Sequence, residues 1–100
     1  MRREEVIRIL QEHRDELAQK YGVKSLALFG SVARDQAGEA SDVDLLVEFD
    51  GRPVGYFHLA RTYAYLRDIL GVRHLDLVLR RAILKELRPT ILREAIDVVK

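Results

Sequence analysis

The sequence contains no cysteine, only two prolines, and no apolar run long enough to cross a bilayer. Without cysteine neither a disulfide nor a thiolate zinc site can form, and a reducing cytoplasm is the expected location. No signal-peptide pattern follows Met1, because Glu4 and Glu5 come at once after two arginines. The three histidines, His13, His58 and His74, are dispersed without metal-ligand spacing. The lack of a long apolar run and of a signal-peptide pattern predicts no membrane association.

Charge of one sign is also lacking, since 17 lysines and arginines stand against 16 aspartates and glutamates, a formal net charge of +1. Such a balance argues against an extended nucleic-acid surface, so no direct nucleic-acid partner is expected. A length of 100 residues predicts a single domain, residues 1–100, without room for a second substrate-binding lobe.

Hydrophobic periodicity predicts a small α/β (α+β) fold, a mixed sheet with helices mainly on one face. Gly22 and Gly71 stand where helix C-terminal caps are expected, and Pro89 where a last helix would open. Three tyrosines of the third helix, Tyr56, Tyr63 and Tyr65, are interpreted as core or partner contacts. The predicted elements are helix Arg2–Lys20, strand Val23–Phe29, short helix Val32–Asp35, strand Val43–Phe49, helix Tyr56–Leu70, strand His74–Leu79 and a helical segment from Arg80 that continues through Leu92 and Ile96.

Gly30 and Ser31 follow the first predicted strand directly and open a short helix. Such a turn aims backbone N–H groups at an anion, and glycine lets a phosphate approach the backbone. A plain strand-to-helix turn is the alternative. Neither the dinucleotide fingerprint nor the Walker lysine is present, which disfavours those two phosphate-binding classes. Arg34, one helical turn beyond Ser31, would face the same anion or the solvent.

Acidic residues interrupt two predicted strands. Asp42 and Asp44 alternate at the start of the second strand, so both carboxylates are expected on one face. Asp76 interrupts the third strand in the same way, and the three would converge if the two strands were neighbours. Paired carboxylates favour Mg²⁺, and three suit two Mg²⁺ ions about 3.5–4 Å apart, an arrangement used in phosphoryl chemistry.

These residues carry a family resemblance. Gly30-Ser31, Arg34 and the run Ser41-Asp42-Val43-Asp44-Leu45-Leu46-Val47 resemble the signature of the DNA polymerase β-like nucleotidyltransferases. Over nearly its whole length the chain is similar to the minimal nucleotidyltransferase (MNT) proteins, the MntA-type antitoxins that are paired with HEPN-domain toxins.

The resemblance implies a polymerase β-like nucleotidyltransferase fold and an Mg²⁺-dependent adenylyltransferase. Gly30 and Ser31 would hold the β- and γ-phosphates of ATP, with Arg34 and Ser41 also at the nucleotide. Asp42 and Asp44 would bind both Mg²⁺ ions, and Asp76 would complete the catalytic metal site. AMP would pass from ATP to a hydroxyl, expected to be a tyrosine, of a partner HEPN ribonuclease toxin, which would be silenced.

Three alternatives remain open from the sequence. The chain could neutralise its partner by binding alone, without catalysis. It could modify a small molecule, although the lack of an acceptor lobe argues for a protein acceptor. DNA binding through the last helices is the weakest of the three.

Overall fold

Four strands and five α-helices form in the residues that the computed structural model describes, which are 2–33, 43–51, 55–83, 86 and 88–99. A 3-10 turn, Arg80–Ala82, follows the third strand. In chain order the elements are α1 (Arg3–Glu12), α2 (Arg14–Tyr21), β1 (Val23–Phe29), α3 (Gly30–Ala33), β2 (Val43–Phe49), α4 (Tyr56–Leu70), β3 (Leu75–Leu79), α5 (Arg88–Glu94) and β4 (Ile96–Val99).

The strands form one mixed sheet in the order β3-β2-β1-β4. β1 is antiparallel to both β2 and β4, whereas β2 and β3 are parallel and α4 connects them. A parallel pair needs such a crossover, which explains the long helix between two short strands. The predicted α/β class with a small mixed sheet is confirmed.

Alternation along the strands divides the side chains between two unequal cores. Leu28, Leu45 and Leu77 point to the face that α1, α2 and α4 cover, where they join the larger apolar cluster. Leu46 and Val78 point to the opposite face, where only a small cluster forms with Ile83 and residues of α5. Because successive strand residues alternate between faces, polar residues next to the large core are directed to the sparsely covered side.

Several predicted helix boundaries are wrong. The predicted helix Arg2–Lys20 is divided at His13 into α1 and α2, and the His13 ring lies 2.7 Å from the carbonyl oxygen of Ile9. The helical segment predicted from Arg80 begins as a 3-10 turn at Arg80–Ala82 and leaves the helical conformation at Ile83. Its last part is the α-helix Arg88–Glu94, which ends there because Ile96–Val99 forms a fourth strand paired with β1. β-branched residues and an available edge of β1 outweigh the helical spacing there.

Other local predictions are confirmed. Gly22 and Gly71 cap α2 and α4 in the left-handed conformation, and Pro89 lies in the first turn of α5. The short helix predicted at Val32–Asp35 is present, but its predicted start is wrong, because it begins two residues earlier, at Gly30. Its predicted end lies outside the described residues. Among the helices that the structure describes, none combines the length and the apolar character that crossing a membrane requires.

The tyrosines of α4 have different environments. Tyr65 stacks on Tyr21 with ring centroids 4.6 Å apart and meets the His13 ring edge-on at 6.2 Å. Burial, and next the Glu16 carboxylate, raises the pKa of the Tyr65 hydroxyl, so this residue stays a neutral packing group. Tyr56 is by contrast 81% exposed, at the first turn of the helix.

Leu28→Ala tests the larger core. Leu28 is fully buried in β1, so its truncation should lower the free energy of unfolding by about 2–5 kcal/mol. Phe57→Ala is the control, because Phe57 is 82% exposed and surface changes usually stay within about 0.5 kcal/mol. Denaturant unfolding of both variants measures the difference; equal losses would contradict this description of the core.

Candidate active site

Asp44 and Asp76 are direct neighbours across the parallel strands. The register pairs Asp44 of β2 with Asp76 of β3, one position along from the pair Val43 and Leu75. Adjacent strands lie about 4.8 Å apart, and paired residues point to the same face. Asp44 is half-buried and Asp76 is exposed. The three carboxylates were expected to converge only if the second and third predicted strands were neighbours. These strands are neighbours, so Asp44 and Asp76 meet that condition.

Gly30 lies directly against the Asp44 side chain. The β1–β2 register pairs Phe29 with Asp44, so the residue that follows Phe29 comes to the same end of the sheet. Gly30 has a φ of +75°, and a Cβ built on it would overlap Oδ2 of Asp44 and lie 2.9 Å from its Cγ. Glycine is required here both by the backbone and by the carboxylate that fills the space a side chain would occupy.

Helix α3 is held from a distant part of the sequence. Nη1 of Arg3, in α1, donates a hydrogen bond of 3.2 Å to the carbonyl oxygen of Ala33, the last residue of α3. A guanidinium at a helix C-terminus satisfies a carbonyl that has no helical partner. Arg3 thus positions the turn that begins at Gly30. Sequence reasoning missed it, because a separation of 30 residues leaves no local pattern.

The other predicted site residues are described in part or not at all. The backbone of Ser31 lies in the first turn of α3, the position predicted for a phosphate-binding turn. Its side chain, and the whole of Arg34, Ser41 and Asp42, lie outside the described residues. The structure thus brings together Gly30, Ser31, Asp44 and Asp76, and the roles of all seven residues stay predictions.

The donor set fits a magnesium ion. Asp44 and Asp76 present carboxylates side by side on one face of the sheet, and two like charges so close favour a cation between them. Hard carboxylate oxygens are the ligands that Mg²⁺ takes in proteins, with phosphate oxygens completing its coordination. Gly30 brings the backbone of α3 against the same carboxylate. The arrangement can place a phosphate chain and a metal ion together.

One protein family matches most of the chain. Residues 10–98 match the family described as nucleotidyltransferase domain. Protein adenylyltransferase MntA of Thermococcus cleftensis is 38% identical over 95 residues, which are 95% of this chain and 94% of that protein. A protein of Methanocaldococcus jannaschii that is provisionally named a protein adenylyltransferase is 46% identical over 79 residues, which are 79% of each chain.

Solved structures of similar proteins superpose on this chain. A structure provisionally described as a minimal nucleotidyltransferase superposes with a TM-score of 0.77 at 38% identity, covering 96% of this chain and 95% of that one. A toxin-antitoxin structure with AMP-PNP superposes with a TM-score of 0.66 at 17% identity, covering 98% of this chain and 73% of that one. The second likeness is one of fold. The predicted nucleotidyltransferase fold is confirmed.

Gly30→Ala tests the contact between the turn and the carboxylate. The new methyl group must displace Asp44, and a shift of about 1 Å at a reacting centre costs on the order of 100-fold in rate. Nucleotidyl transfer should fall by about that factor. Gly51→Ala is the matched control: Gly51 also has a positive φ, +95°, but a Cβ there would meet no described atom within 4 Å.

Both variants should lose about 1–3 kcal/mol of stability from backbone strain. Only Gly30→Ala should lose activity at a temperature where both are folded, which circular dichroism verifies. Equal activities in the two variants would show that the position of the Asp44 carboxylate is not critical.

Proposed function

This chain belongs to the nucleotidyltransferase domain family, as its motif predicts, and from that premise we propose that it is an Mg²⁺-dependent protein adenylyltransferase. Its substrate is ATP, and its acceptor is a hydroxyl, that of a tyrosine, on a partner HEPN ribonuclease toxin. One observation carries the proposal: the register that sets Asp44 beside Asp76, with the Gly30 turn against Asp44.

The relatives support the choice of acceptor and nucleotide. Two of them, with 38% and 46% identity, have names that describe adenylyl transfer to proteins. Structures with the same fold are described as a toxin-antitoxin with AMP-PNP and as a toxin-antitoxin MntA-HpeT mutant. An ATP analogue and a toxin partner are thus associated with this fold, which supports ATP as the nucleotide and a toxin as the partner.

The residues would divide the reaction between them. The backbone at Gly30 and Ser31 would bind the β- and γ-phosphates, since N–H groups at such a turn point at an anion. Asp42, Asp44 and Asp76 would hold Mg²⁺, which when bound neutralises phosphate charge and polarises the reacting phosphorus. Arg34 and Ser41 would add contacts to the nucleotide. Asp76, the exposed member on β3, is open to an incoming acceptor.

The proposed step is a single in-line displacement. The acceptor oxygen forms a bond to the α-phosphorus of ATP, and the bond from that phosphorus to the bridging oxygen of the β-phosphate breaks. Pyrophosphate leaves with the bonding electron pair, and the proton of the hydroxyl passes to the Asp76 carboxylate and then to solvent. The products are pyrophosphate and an AMP phosphodiester of the partner.

Asp76→Asn should lower transfer of AMP to the HEPN partner by about 100-fold or more, because proton transfer by a positioned group contributes 10²–10⁴-fold. Asp68→Asn is the matched control, since it makes the same change at an exposed residue of α4 that lies outside the site. Incubation with Mg²⁺, ATP labelled at the α-phosphate and the partner measures the transfer. Full labelling by Asp76→Asn would rule out this mechanism.

A ribonuclease assay separates catalysis from simple binding. If the double variant Asp42→Asn, Asp44→Asn still silences the toxin as well as the original chain does, neutralisation occurs by contact and the catalytic proposal fails. If the double variant binds the toxin but leaves it active, inhibition requires the transferred AMP. Mass spectrometry of the co-expressed partner identifies the modified residue in the second case.

A further inference from the structure

Helix α3 is held at both of its ends by side chains of other elements. At its first residue, Gly30 lies so close to the Asp44 carboxylate that a Cβ would overlap Oδ2. At its last residue, the carbonyl oxygen of Ala33 accepts a hydrogen bond of 3.2 Å from Nη1 of Arg3. Because the contact at Gly30 leaves no free space toward Asp44, any shift of α3 changes the distance between the turn and the carboxylate.

We infer that Arg3 is a positioning residue that sets the affinity for ATP: acting through the carbonyl of Ala33, it keeps the Gly30 turn where the turn can bind phosphates. The inference rests on the proposed function, which assigns the β- and γ-phosphates to that turn, and it adds a residue that lies outside the motif. Three features carry it: the fixed base of the Arg3 side chain, the burial of Ala33, and the shortness of α3.

Arg3 extends from a helix that the large core holds in place. Val6 and Leu10 of α1 are fully buried in that core, one and two turns beyond Arg3. Nη2 of Arg3 also lies 3.5 Å from Oε1 of Glu4, an ion pair whose carboxylate is 68% exposed. Such an exposed pair contributes little, so the hydrogen bond to α3 is the contact of the guanidinium that matters for the site.

The carbonyl that Arg3 binds belongs to a buried residue. Ala33 is 4% exposed and lies with Val32 in the large core. A buried carbonyl that loses its donor is not solvated in place, so it turns toward water or another donor. Since α3 has only four residues, a rotation of its last peptide also moves its first. Loss of the Arg3 donor would therefore displace the N–H groups at Gly30.

Such a displacement should weaken nucleotide binding more than it slows the chemical step. In the proposed reaction the turn holds the β- and γ-phosphates both before and during the displacement at the α-phosphorus. An interaction made equally in the ground state and the transition state raises KM when it is lost and leaves kcat unchanged. The carboxylates of Asp44 and Asp76 are placed by the strand register, to which Arg3 does not contribute.

Arg3→Met tests the inference by removing the donor while keeping an unbranched stem. Methionine is a good helix former and Arg3 is partly exposed in the first turn of α1, so the variant should fold with unchanged circular dichroism. Arg2→Met is the matched control, because it removes the same charge from an exposed neighbour whose side chain makes no cap hydrogen bond. Arg3→Lys keeps a donor at the same position. Three quantities are measured for each variant: the Kd of Mg²⁺·ATP by calorimetry, and the KM for ATP and the kcat of AMP transfer to the HEPN partner.

We expect Arg3→Met to raise both the Kd and the KM for ATP about tenfold or more, the loss typical when a group that orients binding residues from behind is removed. Its kcat should stay within about twofold of the original value. Arg2→Met should match the original chain, and Arg3→Lys should bind ATP more tightly than Arg3→Met.

Three results on affinity would each overturn the inference: an unchanged Kd in Arg3→Met, an equal loss in Arg2→Met, or an Arg3→Lys variant that binds ATP no better than Arg3→Met. A fall in kcat at constant KM in Arg3→Met would also overturn it, because Arg3 would then act on the chemical step and not on the position of the nucleotide.

The failure of the proposed function would look different. If the original chain binds Mg²⁺·ATP but transfers no AMP to the partner, the proposed reaction is wrong, and the Kd values alone decide the role of Arg3, since calorimetry needs no partner. If the original chain transfers AMP and Arg3→Met does so with the same KM, only the inference about Arg3 is wrong. If the original chain binds no Mg²⁺·ATP at all, both are rejected.

Discussion

The parallel register between β2 and β3 is the constraint on which the site depends. It pairs Asp44 with Asp76, and strand alternation directs both away from the face that the helices cover. Two carboxylates side by side repel each other, and a cation bound between them would offset that repulsion. The register therefore connects the fold with the proposed cation site.

The unequal covering of the sheet keeps this acidic pair accessible. Helices α1, α2 and α4 bury one face, and the large core supplies most of the apolar burial. The opposite face carries a small cluster of Ala27, Leu46 and Ile83, with α5 nearby. Stability and chemistry are thus placed on opposite sides of the same strands.

The closeness of Gly30 to Asp44 connects the phosphate turn with the carboxylates. The turn ends β1 and the carboxylate begins β2, and antiparallel pairing brings those two ends together. Arg3 holds the far end of α3 by a hydrogen bond to Ala33. Three segments that are distant in the sequence therefore determine the position of the Gly30 turn. The family match agrees with this arrangement, and the prediction of a nucleotidyltransferase is confirmed.

The sequence by itself determined the class of fold, three of the four strands, the caps of α2 and α4, and the family, because periodicity, turn residues and the Gly-Ser and aspartate motif are local signals. It indicated the aspartates as candidates, since charges within apolar strands contradict simple packing. Only the tertiary structure decided that Asp44 and Asp76 are neighbours, that Ile96–Val99 pairs with β1, and that Arg3 reaches α3. Those outcomes depend on strand order and on contacts between distant residues, which no local pattern records.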